Sequence, residues 1–408
     1  MIPPVTQRLR PYIPFLIVLV IEAPLLWPSD LFLGDWHNFW YAGHLVATGR
    51  SPYEVANYAG LEGPFHELEV ERTSLPWPYP PWTGLFLAPF GALPLEVGLV
   101  AMHATLVVLG LAAILQLARQ VRLGGAWTGA LALTIAAASQ PFVLATRTAH
   151  FDAALLSGVL FLAAGWQRES AWRFALGASL LALKPHLFVL LVVVTLVAVV
   201  ARRRWRLLIA ATAALATLAA VGIAVSPMPA ALADAQSWLR IDIGRVATVW
   251  AAGAMIAPDL WGPAGLALLA IPALLAVRAL RASPPARSAL FVFVATALSL
   301  VIVPYVHSYD HFVLLPLVWL VVRAAEDRHG WPRKAMLVAA VVVGVVLPWF
   351  AYFADFNARS EGPSGMVPLV TLLLLPAVVG TATVALSVRR ATVGEDAPDP
   401  ERPRPLRS

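Results

Sequence analysis

Uncharged apolar stretches long enough to cross a bilayer recur along this chain, and no other feature limits its fold as tightly. The run at residues 207–226 contains no charged side chain, and further apolar runs fall at about 11–28, 83–118, 124–145, 150–166, 172–200, 246–280, 288–305, 312–325, 335–352 and 367–388. A spanning helix needs about 20 apolar residues. Inside hydrocarbon every backbone polar group must also be paired within the protein. With 60% hydrophobic and 13% charged residues, the chain has no room for large soluble domains. The expected fold is an all-α polytopic membrane protein.

The chain has no cysteine, which removes disulfides, thiolate metal sites and cysteine nucleophiles. Its net charge of +6 does not point to nucleic acid, because the basic residues sit in short linkers between apolar runs. Of the 29 Lys and Arg residues, 22 lie in the clusters around Arg8, Arg119, Arg168, Arg202 to Arg206, Arg278, Arg323 to Lys334 and Arg389 to the tail. The positive-inside rule puts all of these on the cytoplasmic face. The first apolar run lacks a small-residue cleavage site and is read as a retained helix. The expected organisation is a membrane domain over 1–390, with about twelve membrane elements and both termini cytoplasmic. Within it, 29–82 forms a long first extracytoplasmic loop. The tail at 391–408, rich in Pro, Arg, Glu and Asp, reads as disordered.

One step in this topology is unusual. The arginines at 173 and 202 share a face, so the chain must go out and return within 28 residues. Helices of about 12 and 16 residues reach roughly 18 and 24 Å, too short for two full spans. Pro185 ends the first of them, since it lacks an N–H and restricts its predecessor. Lys184 therefore stands at the apex of a short hairpin, at membrane depth. An ammonium there needs an anionic partner or a wet cavity.

Function is expected on the outer face. Trp36, Phe39, Trp40, Gly43 and Ala47 recur at helical spacing, which predicts an amphipathic interfacial helix ended by Gly49 and Pro52. Asp35, at its start, reads either as an N-cap or as a general base, roles that can coexist. The Pro-dense segment from Leu75 to Trp82 should be extended, with Trp77, Tyr79 and Trp82 as fixed plates for a sugar or prenyl chain or as an ordinary aromatic belt. Arg147, His150 and Asp152, then Arg240, Asp242 and Arg245, then His307 to His311, supply the other outer polar groups. The His307, Asp310, His311 trio invites a metal, but its spacing is not a zinc pattern and no metal is expected. Glu22 either lines the cavity or pairs locally.

In order along the chain, Asp35, Trp36, Phe39, Tyr41, Gly49, Pro52 and Tyr53, then Tyr79-Pro80-Pro81, Ala88-Pro89 and Leu93-Pro94, then Leu183-Lys184-Pro185, then Pro304 with Ser308 to His311, resemble family 87 of the GT-C glycosyltransferases. That family is similar to the mycobacterial mannosyltransferases that use polyprenyl-phosphate mannose. The likeness runs from about residue 12 to 320. It implies metal-independent, inverting transfer of a hexose from a polyprenyl-phosphate sugar to a lipid or glycan acceptor at the outer face of a bacterial inner membrane, without a cofactor. The family's catalytic aspartate falls on Asp35. Its late Ser-Trp-x-His motif falls on Ser308 to His311, with Tyr309 in place of tryptophan. Where the family commonly shows Gly-Gln or Gly-Asn, this chain has Ala149-His150.

Lys184, His311, Arg147 and Arg245 are then expected to hold the donor phosphate. His37, Tyr41, Trp77, Tyr79, His150, Asp152 and Asp310 are expected to contact substrate. A secondary transporter or lipid-linked sugar flippase is the competing class, since broken helices and a buried lysine also occur there.

Overall fold

The structure is a computed structural model that describes residues 12–26, 33–54, 57, 77, 79–225, 257–260, 262–264, 290–303, 306–350 and 352–353. Every long element in it is helical. The helices are α1 (Ile13–Leu26), α2 (Leu33–Ala47), α3 (Pro81–Gly91), α4 (Leu95–Val121), α5 (Ala126–Ala137), α6 (Gln140–Arg147), α7 (Asp152–Arg168), α8 (Ala171–Leu181), α9 (Val189–Ala201), α10 (Trp205–Val225), α11 (Leu290–Ile302), α12 (Leu315–Glu326) and α13 (Gly330–Val341). A π turn at Val342–Val346 continues α13, and 3₁₀ turns occupy Pro185–Phe188 and Ser308–Leu314. Much of the expected span count rests on 226–256, 265–289 and 354–408, including the tail, which lie outside the described residues.

Among the described residues three helices are long and apolar enough to cross a membrane: Leu95–Val121, Trp205–Val225 and Gly330–Phe350. A fourth span is available if α5 and α6, bent by 43° at their junction, count as one. The bend has a local cause. Pro141 occupies the first turn of α6, and the Ser139 hydroxyl caps it by accepting from the Phe142 N–H. Trp349 donates its indole N–H to the carbonyl of Ala138 at 2.8 Å, satisfying a group the break would otherwise leave bare. The run at 83–118 divides in the same way at Leu93-Pro94 into α3 and α4.

At the centre lies α7, buried at every position from Asp152 to Trp166 except Phe161. It packs closely on α8, where a Cβ at Gly177 would come within 2.5 Å of the Leu162 nitrogen. Without a hydrophobic force between helices in lipid, such close backbone approach is what holds them together. On α9, by contrast, Leu191, Val194, Ala198 and Val199 face inward while Val192, Val193, Leu196 and Val197 are exposed, as expected of a helix with one face to lipid.

The first outer segment departs from expectation. Instead of lying on an interface, α2 is packed inside the protein: Trp36, Phe39, Trp40, Tyr41, Ala42, Leu45 and Val46 are all buried. The stripe visible in the sequence covered one face, and Tyr41, Ala42, Leu45 and Val46 extend burial around the helix. Contact with α3 is backbone to backbone, since a Cβ on Gly91 would fall 2.0 Å from the His44 nitrogen. Gly49 does end the helix, at a φ of +71°, with the Arg50 N–H bonded to the Leu45 carbonyl at 2.7 Å. That is the left-handed closure that glycine makes cheap. Asp35 is the third helical residue, inside the first turn rather than at the cap.

The bundle has two distinct ends. Arg204 at the foot of α10 donates to the Trp166 carbonyl at 2.7 Å and to Glu169 at 3.1 Å. Glu326 at the foot of α12 accepts from the backbone N–H groups of Gly124 and Gly125, each at 2.9 Å. The opposite ends of α7 and α12 carry Asp152 and follow Asp310. At 1.5 Å per residue the two helices hold those aspartates about 20–25 Å from the arginine-rich turns.

Candidate active site

The α8–α9 hairpin turns where the sequence placed its break. Lys184 is extended (φ −134°, ψ 69°) ahead of Pro185, which opens the 3₁₀ turn. The carbonyls just before it are not left bare. Trp82 donates its indole N–H to Ala182 at 2.8 Å, and the Thr83 hydroxyl donates to Leu183 at 3.2 Å. Sequence reasoning missed this clamp, although the Pro80-Pro81 pair that starts α3 is what directs Trp82 and Thr83 toward the hairpin.

Lys184, only 3% exposed, has a carboxylate for a partner. Its Nζ lies 2.7 Å from Asp310 Oδ1 and 3.7 Å from Asp152 Oδ2. Asp310 uses its other oxygen to accept the His307 backbone N–H at 2.7 Å, closing a capping box on the 3₁₀ turn. Burial alone would raise the Asp310 carboxyl. The Lys184 ammonium, helped by His307, overcomes this and holds it well below the usual carboxylate range. Asp152 is fully buried, and neither of its oxygens has a hydrogen-bond partner among the described residues. Two carboxylates thus face one ammonium.

An aromatic layer lies over this group. Tyr309 has the Lys184 Nζ 4.8 Å from its ring centre and His150 stacked on it at 3.7 Å. Phe39 of α2 meets His150 edge-on at 5.4 Å and Phe151 at 4.9 Å. Tyr79 lies 5.6 Å from both Phe39 and Phe151. The carbonyl of Arg147 accepts the Trp36 indole N–H, so α2 and the α6–α7 turn are joined directly. In that turn Ala149 is buried at a φ of +62°, the left-handed conformation that favours glycine.

Several expected site residues stand elsewhere. Trp77 is 1% exposed and packed edge-on against Phe39 at 5.8 Å, a core side chain rather than an open plate. His37 and Tyr41 are buried with their rings 6.2 Å apart. Their spacing from Phe39 puts them on the face of α2 opposite to it, away from Lys184. Burial, only partly offset by Asp310, lowers the His311 imidazole to about 4; at neutral pH it offers a hydrogen bond and no charge. Asp35 stands four residues before Phe39 in α2, and its side chain lies outside the described atoms, as does all of Arg245. Among the described residues no three His, Asp or Glu side chains group as metal ligands.

No curated protein and no solved structure matches this chain significantly. A family model described as glycosyltransferase family 87 matches residues 77–304, a span that contains the α3 clamp, His150, Asp152 and the Lys184 hairpin. Because that match covers more than half of the 408 residues, the protein belongs to glycosyltransferase family 87.

Proposed function

We propose that this glycosyltransferase moves a hexose, mannose first among them, from a polyprenyl-phosphate sugar to a membrane-associated lipid or glycan acceptor on the extracytoplasmic face of a multi-pass inner-membrane protein. The observation that carries the reading is the meeting of Lys184 with Asp310 and Asp152 at the end of the bundle opposite the arginine-rich turns. Only one aromatic layer separates that group from the helix that bears Asp35. A lipid-borne phosphate arrives at such a depth.

In this scheme Asp35 takes the proton from the acceptor hydroxyl as its oxygen bonds to the anomeric carbon. The bond from that carbon to the phosphate oxygen breaks on the opposite side, so the configuration inverts. The polyprenyl phosphate leaves with the electron pair and needs positive charge beside it. Lys184 supplies it if one flanking carboxyl yields, and Asp152, whose oxygens have no hydrogen-bond partner among the described residues, is the group to yield by taking a proton from solvent. Arg147 and Arg245 add fork-shaped donors, and His311 adds an N–H. Tyr79 gives the sugar ring a flat surface. A monophosphate carries less charge than a pyrophosphate, so side chains replace a divalent ion in this proposal.

Purified protein in lipid nanodiscs, given radiolabelled polyprenyl-phosphate mannose and a membrane lipid extract, should form a new labelled glycoconjugate. It should do so in saturating EDTA. Binding of donor without any covalent product would remove the reaction, and activity restored by Mn²⁺ after EDTA would return a metal to the scheme.

A further inference from the structure

At the end of the bundle away from Lys184, the two turns that anchor the hairpin carry six arginines, at 168, 173, 202, 203, 204 and 206, against one acid, Glu169. Their charge is not spread evenly. Trp166, fully buried at the end of α7, has the Arg204 guanidinium 4.2 Å from its ring centre and the Arg202 guanidinium at 5.3 Å. Arg204 is paired, donating to the Trp166 carbonyl and to Glu169. Arg202 is not: its Nη1 is buried with no hydrogen-bond partner among the described residues. Burial and the neighbouring Arg204 both press its guanidinium below the ordinary arginine range, yet an arginine stays charged at neutral pH. A half-buried cation next to another cation, with a donor unfilled, calls for an anion.

The surroundings indicate which anion. Trp172 and Trp205 flank the two turns and are 60% and 49% exposed. The Arg173 guanidinium lies 5.0 Å from the Trp172 ring centre. Exposed tryptophans beside arginines, at the ends of helices whose outer faces are bare valine and leucine, mark the headgroup level of a leaflet. A basic notch between helices at that level suits a lipid phosphate. We infer that the notch formed by Arg202, Trp166 and the α8 and α10 starts is a binding site for the phosphodiester of an anionic phospholipid in the leaflet at the arginine-rich end. The lipid phosphate lies against the open side of the half-buried Arg202 guanidinium, beside the exposed Arg203, while its chains lie along the exposed face of α9. Because the hairpin leaves and returns through these turns, the lipid would brace both feet of the element that presents Lys184.

The test uses the full chain purified in detergent, incubated with equal amounts of phosphatidylglycerol and phosphatidylcholine of the same acyl chains, and read by native mass spectrometry. We expect retained phosphatidylglycerol in clear excess. Arg202→Gln should lower that retention roughly five- to tenfold, the order expected for losing one cation with charge-assisted bonds at a headgroup. Arg333→Gln, an equal charge change on another basic turn, should leave it in place. If Arg202→Gln does not fold, Arg202→Lys carries the test, with a smaller drop from loss of the planar fork. Equal retention of the two lipids overturns the site. So does an Arg202 variant that matches the parent, a loss as large in Arg333→Gln, or complete displacement by millimolar inorganic phosphate, which would mark a free-anion site.

Discussion

The ammonium of Lys184 and the carboxylate of Asp310 meet at 2.7 Å across 126 residues of sequence, both almost wholly buried. Breaking such a pair by removing one partner leaves a lone charge in a medium that cannot solvate it. The expected cost is about 3–5 kcal/mol. Asp310→Asn and Lys184→Met should each lower unfolding stability in detergent by that order, and the double variant should lose clearly less than their sum. Both singles and the double should be inactive in sugar transfer. Additive losses in a thermal unfolding series would show that the pair is not coupled.

Asp35 calls for a different signature. Its replacement by Asn keeps shape and helix position but removes the base. We expect turnover to fall about 10²- to 10⁴-fold with donor-lipid binding and unfolding temperature unchanged. Parallel measurement of kcat, donor affinity and thermal stability decides the matter, and unaltered kcat would take Asp35 out of the chemistry.

Ala149 holds a left-handed backbone at φ +62°. A side chain in that conformation costs roughly 1–2 kcal/mol, part of which glycine gives back through its freer unfolded chain. Ala149→Gly should therefore stabilise the protein by about 0.5–1 kcal/mol with transfer activity retained. A drop in unfolding temperature would mean that the methyl group packs more favourably than its backbone is strained.

Acid should weaken the fold in a defined window. Burial holds the His311 imidazole near 4, below its ordinary 6.5, so the unfolded chain binds the proton first as pH falls. The stabilising contribution is whole above about 6.5 and is lost as pH drops from there toward 4. Asp310, also depressed in the folded protein, adds a loss only at lower pH, beginning near the ordinary carboxylate value of about 3.9. Unfolding temperature measured from pH 7 to 4.5 should decline, and His311→Asn should lessen that slope without abolishing it, because burial lowers the His186 imidazole to about 4 as well.

What the sequence determined by itself was everything that depends on neighbours along the chain. Apolar runs longer than a helix turn demand helices, Pro185 breaks one of them next to Lys184, Gly49 closes α2, and arginines crowd one end. The tertiary structure alone decided which groups meet. A lysine at membrane depth announces that it needs an anion, but Asp310 and Asp152 become its partners only when α7 and the late 3₁₀ turn pack on either side of the hairpin. Likewise the apolar stripe of α2 showed that one face is buried, while its full enclosure depends on α3 approaching to backbone contact at Gly91. Trp77 could have faced a ligand or a core until Phe39 was placed beside it. Periodicity and chain breaks are local and survive in one dimension; charge pairing and helix enclosure are set by distances through space, which no spacing in the sequence encodes.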